Sequence, residues 1–255
     1  IGKDILITHA VYWPTMLLAA GLKLPKTILA HGWWLMDGGK MSKSIGNTIN
    51  PMDLIDKHGV DPVRYFLMRD MVLGLDANFN YHNFIDRYNA DLANDLGNLI
   101  NRVTLLIKNN FENKIPKKSN FESSDLELIK HAEKTISNLK VLLSEFKIHE
   151  AIETIITLCR KINKYLEINE PWKLIKKSDN DKNRAGSVLY IAADTIRICA
   201  QMLYPIMPSK CMETLQILGF PKNRISDLSI GALEPNISLK NIHPQFPRII
   251  KNADN

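Results

Sequence analysis

The sequence predicts a mainly α chain in which a short α/β portion of the doubly wound kind leads into a helical bundle. Three observations predict it. Apolar runs near the start alternate in the order strand, helix, strand; from about Asn80 apolar residues recur at three- and four-residue steps in four long stripes; and polar breaks separate the stripes. The boundaries that follow are 1–80 for the α/β part with its connecting helices, 81–220 for the bundle and 221–255 for an irregular tail. With 255 residues, 45% hydrophobic and 24% charged, the chain can bury such a core, which excludes a disordered chain.

Taken in order, Ile5-Leu6-Ile7 is a short apolar run of the kind buried in a parallel sheet, with Thr8-His9 at its carboxyl end, where open α/β sheets bind ligands. Tyr12 to Ala20 reads as a helix with Pro14 in its first turn and Gly21 as its stop. Ile28-Leu29-Ala30 predicts a second strand, and Asp37-Gly38 a hairpin-type turn beyond it. Asn50-Pro51 with Asp53 is an N-cap, a first-turn proline and an acid near the positive helix end, closed by Gly59; Asp61-Pro62 repeats the device. These turns read as scaffolding between the two parts.

The bundle stripes are Phe84, Ile85, Tyr88, Leu92, Leu96, Leu99, Ile100, Val103, Leu106 and Ile107; Leu126, Ile129, Ala132, Ile136, Leu139, Leu142, Leu143 and Phe146; Ile152, Ile155, Cys159, Ile162 and Leu166; and Leu189, Ala192, Ile196, Cys199 and Leu203. Residues 109–124 form a linker and residues 178–183 a second polar break. After Phe220, four prolines and little periodicity predict an irregular arm lying on the folded body.

The net charge of +6 suits a polyanionic partner. Cys159, Cys199 and Cys211 are odd in number and lack metal-ligand spacing, so they read as reduced core thiols, and no metal site is expected. No apolar run reaches the roughly 18 residues of a membrane span, and a cytoplasmic protein is expected. Ile1 opens the chain inside what reads as an ordered unit, so a fragment is expected.

The chemistry concentrates in Lys40-Met41-Ser42-Lys43-Ser44, set between Gly38-Gly39 and Gly46. Two lysines three residues apart, with hydroxyls between them, can place ammonium groups around a polyphosphate and follow its charge during reaction. The run is letter for letter the signature loop of class I aminoacyl-tRNA synthetases. With Ile1-Gly2-Lys3-Asp4-Ile5, His9-Ala10-Val11-Tyr12-Trp13-Pro14, His31-Gly32-Trp33-Trp34, Asn89-Ala90-Asp91-Leu92-Ala93-Asn94 and Glu170-Pro171-Trp172 in the same order, nearly the whole chain resembles the methionyl-tRNA synthetase family. The matching stretch runs from late in the catalytic domain to near the end.

The resemblance implies a Rossmann-type catalytic half followed by an α-helical anticodon-binding domain, and the activity of a methionine-tRNA ligase. It implies ATP with magnesium as substrate, contacted by Lys43 in the transition state and supported by Lys40, Ser42 and Ser44. Methionine would be lined by Ile5, which supplies apolar contact, and by His9, which adds a polar contact without a fixed charge. The CAU anticodon of tRNA(Met) would be met by Asn98 and Arg102, one helical turn apart, and by Trp172 as a stacking platform; read from the residues alone, Lys173, Lys176 and Lys177 nearby are surface charge that could also neutralise phosphates. From the residues alone, Trp13, Trp33 and Trp34 read as core aromatics, and Tyr12 and Lys3 as structural.

The His-Ile-Gly-His stretch that cradles ATP in this class has no counterpart in the chain, nor have the zinc-binding knuckles of some relatives. Zinc therefore cannot be assigned, and the chain alone is expected not to activate methionine. A monomer is expected, because the oligomerising module of some relatives is not visible after Arg248. Alternatives that stay open are a catalytically incomplete anticodon-binding module, another class I synthetase, and a purely structural bundle.

Overall fold

The computed structural model describes residues 1–36, 38–41, 48–119, 121–221 and 227–250. Its α/β portion differs from the expectation in which residues pair. Ile5-Leu6-Ile7 is not a strand: Lys3–Ile5 form a 3-10 turn that continues through a widened turn, Thr8–Tyr12, into helix α1, Trp13–Ala19. The pairing sits upstream instead. Lys3 N donates to His31 O at 2.9 Å and His31 N to Ile1 O at 2.9 Å, a parallel bridge between Gly2 and His31. With the backbone pairing already made at residues 1–3, the next residues are released to coil, and a three-residue apolar run carries no periodicity that would have told strand from helix. Ile28-Leu29-Ala30 likewise forms no strand. The α1 stop is as expected, with Gly21 at φ +68°.

The sheet comprises β1 (Trp34–Met36), β2 (Gly39–Lys40) and β3 (Ala77–Phe79), in the order β2-β1-β3. β1 and β2 are an antiparallel hairpin, Leu35 opposite Lys40, and Gly38 in its turn has φ +77°. β1 and β3 are parallel, Trp34 opposite Ala77, and the crossover between them carries α2 (Pro51–His58) and α3 (Val60–Asp70). Parallel neighbours require such a crossover, so the α/β character predicted from the early apolar runs is carried by this unit.

Asn50 caps α2 as its sequence predicts, accepting from Met52 N at 3.1 Å. Asp61 does not repeat the device. Helix α3 starts at Val60, and Asp61 Oδ2 accepts Lys210 N at 2.6 Å, in the first turn of α10 (Pro208–Ile217). It caps a helix almost 150 positions away. A compact aromatic core of Phe66, Phe79 and Phe84, with Trp34 against Phe66, joins sheet to crossover.

The bundle begins with one long rod, α4 (Tyr81–Arg87), a π-helical segment Tyr88–Gly97 and α5 (Asn98–Asn110), followed by α6 (Ser123–Ser144), α7 (Ile148–Asn169), α8 (Pro171–Leu174) and α9 (Asp179–Leu203). The first and third stripes face the core as predicted: Leu92, Leu99, Val103 and Ile107 are fully buried, as are Cys159 and Ile162. The α6 stripe is rotated. Leu128, Ala132, Thr135, Leu139 and Leu142 are buried, while Leu126, Leu143 and Phe146 are exposed. Apolar residues on both sides of this helix blur its moment, and the packed face includes buried Thr135 and Asp125, the latter held by Tyr165 and Arg184, which an apolar count misses. Helix α9 is buried on every side from Ala185 to Leu203, more than one stripe implied, because the segment after α10 covers its outer face. The cysteines are buried and free, and the Cys199 thiol is pushed well up by its hydrogen bond to Cys159 and by burial.

Residues 227–250 contain no helix and lie against the body, as the tail was expected to do. Part of the predicted linker is held by them: Ile115 N donates to Ile237 O at 2.8 Å, and the Ile115 side chain is fully buried. At the second break, Ser178 caps α9, so helix resumes at Asp179 within the segment read as polar coil.

Candidate functional site

Lys40, at the end of β2, is the described lysine of the signature loop; Ser42, Lys43 and Ser44 lie outside the described residues. The Lys40 ammonium is 3.6 Å from Asp4 Oδ1 and 4.3 Å from the Trp33 ring. Trp33 itself is held from several sides. Its indole N–H donates to Asp4 Oδ2 at 2.5 Å, its backbone N–H donates to Asp76 Oδ1 at 2.8 Å, and Lys3 Nζ stands 4.0 Å from the ring while donating to Asp76 at 2.7 Å. Gly32 makes this approach possible, since a Cβ there would sit 2.1 Å from the Leu75 carbonyl oxygen. The Trp33 N–H and the Lys40 charge hold the Asp4 carboxyl below its ordinary range. Trp33 is therefore half-exposed in an ionic cluster and not a core aromatic; Trp34, packed on Phe66, fits the core reading better, and Trp13 is 41% exposed.

Ile5 and His9 stand one turn apart on the helical rod that follows Asp4, and His9 Nδ1 lies 2.9 Å from Ile5 O. A carbonyl can only accept, so Nδ1 carries a proton, and Nε2 is the ring nitrogen left for another partner. The His9 ring meets Trp13 edge-on at 6.2 Å, and Ile5 is 46% exposed. Asp4 thus links Lys40, through its ion pair, to the helical stretch that carries Ile5 and His9.

Asn98 and Arg102 open α5 on one face, Asn98 exposed and Arg102 half-buried. Trp172 follows Pro171 in α8 and packs half-buried against the bundle core. α5 and α8 are both seated on α9. Just before α8, Glu170 adopts a left-handed conformation (φ +41°), and Lys173 pairs with it at 2.6 Å. The support beneath is ionic. Asp125, fully buried, accepts from Tyr165 Oη at 2.6 Å and from Arg184 at 2.6 and 2.8 Å, and Arg184 also donates to Asn169 Oδ1 at 2.7 Å. Burial and the Asp125 charge push the Tyr165 phenol upward.

A second buried carboxylate joins the bundle to the α/β part. Asp91, in the π-helical segment, accepts from Tyr65 Oη at 2.8 Å and Arg160 at 3.2 Å, with Arg69 and Arg87 at 3.6 and 3.7 Å. Asn89 in the same segment pairs both its amide atoms with Ile249. Sequence reasoning missed Asp4, Asp76, Asp125, Tyr165 and Arg184. Asp4 was already inside the Gly-Lys-Asp-Ile segment, and Asp125 forms a local capping box with Glu122; Asp76, Tyr165 and Arg184 carried no local signal, because their partners are 40 or more positions distant or on another helix. Among the described residues, no group of three His, Cys, Asp or Glu side chains could hold a metal, and no helix is long and apolar enough to cross a membrane.

Two family models match consecutively: tRNA synthetases class I (M) over residues 1–104, and the anticodon binding domain of methionyl tRNA ligase over residues 115–236. The chain belongs to the methionyl-tRNA synthetase family. It is 42% identical over 259 residues to the methionine–tRNA ligase of Rickettsia conorii, covering 96% of this chain and 50% of that protein, and 38% identical to that of Brucella suis, covering 98% and 48%. Among solved structures, the apo methionyl-tRNA synthetase of Mycobacterium tuberculosis superposes with TM-score 0.88 at 33% identity, covering 99% of this chain and 49% of that one. The same enzyme bound by methionyl-adenylate gives 0.89 at 35% identity, covering 96% and 49%. The chain spans about half the length of the methionyl-tRNA synthetases it matches.

Proposed function

We propose that the chain carries the signature-loop side of a methionyl-adenylate site together with the anticodon-binding bundle of a methionine-tRNA ligase. The observation that carries this reading is the succession of the two family matches, over 1–104 and 115–236, along one chain whose fold follows that of a relative bound to methionyl-adenylate. In the reaction, the methionine carboxylate attacks the α-phosphate of ATP, which comes with magnesium, and pyrophosphate leaves; a terminal ribose hydroxyl of tRNA(Met) then attacks the methionyl carbonyl of the adenylate and AMP leaves.

Each residue has a physical task in that scheme. Negative charge grows on the departing pyrophosphate, so an ammonium aimed there stabilises the transition state more than the ground state; Lys43 has that role, with Lys40, Ser42 and Ser44 in support. Ile5 gives the methionine side chain an apolar wall, and His9, its Nδ1 proton engaged by Ile5 O, offers Nε2 without a fixed charge. Asn98 and Arg102 supply amide and guanidinium groups to base edges, and Trp172 a face for an unstacked base. The limits proposed for these parts are 1–80, 81–220 and 221–255. A cytoplasmic, monomeric enzyme is the accompanying proposal.

The test is methionine-dependent ATP–pyrophosphate exchange and tRNA charging by this chain joined to the N-terminal half of a relative. Exchange and charging together are expected. Anticodon-dependent tRNA binding with no exchange would leave the binding-module reading in its place.

A further inference from the structure

Lys40 is held by more than its strand. Its backbone is fixed by pairing with Leu35 in the β1–β2 hairpin, and its side chain reaches the Trp33 ring at 4.3 Å and Asp4 Oδ1 at 3.6 Å. The indole it reaches is itself immobilised, by Asp4 through its N–H, by Asp76 through its backbone, and by the close passage of Gly32 beneath Leu75. Two ammoniums beside one indole would repel each other alone. Here Asp4 accompanies Lys40 and Asp76 accompanies Lys3, so the four charges balance, and each cation keeps a carboxylate as well as a π face.

We propose that Trp33 and Asp4 form the seat of Lys40, positioning the base of the signature loop against the segment that carries Ile5 and His9. This rests on the adenylation reading only for its consequence, since the seat itself is a property of the folded chain. The two are positioning residues: they act on the nucleotide through Lys40. Because Asp4 immediately precedes Ile5, the seat ties the loop's stem to the first turn of the proposed methionine wall, and a shift of one moves the other. A polyphosphate competes with Asp4 for the same ammonium, so the seat also sets how readily Lys40 leaves for the nucleotide.

The experiment is NMR of the chain after reductive ¹³C-dimethylation of its lysines, which keeps their positive charge, with Lys40 and Lys3 signals assigned from Lys40→Arg and Lys3→Arg. Over an indole face, ring current displaces both methyl signals upfield. In Asp4→Asn the Lys40 signal moves toward the position of a free lysine while that of Lys3, held by Asp76, stays; in Trp33→Leu both lose their displacement. Trypsin cleavage after Lys40 in the unmodified Asp4→Asn chain rises about two- to fivefold, the factor for one exposed cation–π and ion-pair contact. A Lys40 signal at the free-lysine position in the parent chain, or one unmoved by Asp4→Asn, overturns the proposal, and Asp4→Asn decides the matter even if Trp33→Leu fails to fold. The seat and the adenylation reading fail separately: a complete ligase that keeps its exchange rate in Lys43→Ala sinks the second without altering these spectra.

Discussion

Asp125→Ala is expected to loosen the end of the bundle that carries Trp172. The Asp125 carboxylate has no exposed surface and accepts Tyr165 Oη, two Arg184 nitrogens and Glu122 N, all between 2.6 and 2.9 Å. Removing it leaves a phenol and a guanidinium short of their acceptor. Breaking a buried pair from one side costs about 3–5 kcal/mol; Arg184 keeps 14% exposure and retains Glu122 and Asn169, which argues for the lower end, ~3 kcal/mol. With an m-value of roughly 3 kcal/mol per molar urea, the denaturation midpoint drops by about 1 M.

The pH dependence has a definite sign. Burial pushes the Asp125 carboxyl up, but hydrogen bonds from Arg184, Tyr165 and the Glu122 backbone outweigh it and hold the group below its ordinary range. A depressed carboxyl stabilises the fold above its unfolded value, near pH 4, and that contribution is lost as pH falls through the folded value. The difference between parent and Asp125→Ala is therefore full at pH 7 and shrinks in acid below about pH 4. Urea melts at several pH values measure it. A midpoint shift at pH 7 under about 0.2 M, or a difference unchanged into acid, would refute the reasoning.

In a complete ligase, Lys43→Ala lowers the exchange rate by about a hundredfold or more, on the order of 3 kcal/mol, with little change in the Michaelis constant for methionine; an unchanged rate removes its assignment. Trp172→Ala weakens charging of tRNA(Met) and leaves exchange intact, and loss of both would count against the platform role. Gly32→Ala forces backbone apart at Leu75, whose carbonyl oxygen lies 2.1 Å from the new Cβ, and a loss of about 3 kcal/mol by thermal or urea melting is expected. Arg197→Leu removes the cationic partner of the fully buried Asp194, leaving it the backbone donors of Gly231 and Leu233, and frees the carbonyls of Asp227 and Ser229, at a cost of about 3 kcal/mol; faster proteolysis within residues 227–250 reports it.

The helical half was the more legible because its signal repeats. A face that returns every third or fourth residue over 22 positions, as in α7, averages out individual exceptions, whereas in α6 apolar residues on both sides and buried polar ones rotate the reading. The α/β part offered runs of three apolar residues, too short to carry a period, and which residues paired was decided by distant backbone at His31 and Ala77. Caps were legible where they act locally, as at Asn50, and illegible where the carboxylate serves another helix, as at Asp61. The candidate site divides in the same way. Lys40, Ile5, His9, Asn98, Arg102 and Trp172 were named from motifs, while the contacts of Asp4 with Lys40 and of Asp125 with Tyr165 and Arg184 depend on tertiary partners that no spacing announces.

The stitching of Asn89 to Ile249 and of Tyr88 to Pro247 spans 160 and 159 positions, and so sets an order of events. A helical bundle usually assembles from neighbours and does so fast, yet here the first part of the longest rod waits for a segment made about 160 residues later. During synthesis at roughly 5–20 residues per second, the Asn89 amide stands without its partner for about ten seconds or more, time in which the bundle core can collapse around Leu92 and Leu96 but its flank stays uncovered. A chain stopped near residue 240 would be expected to form its helices and still leave that flank sticky, which makes the segment 247–249 a folding lock as much as a cover.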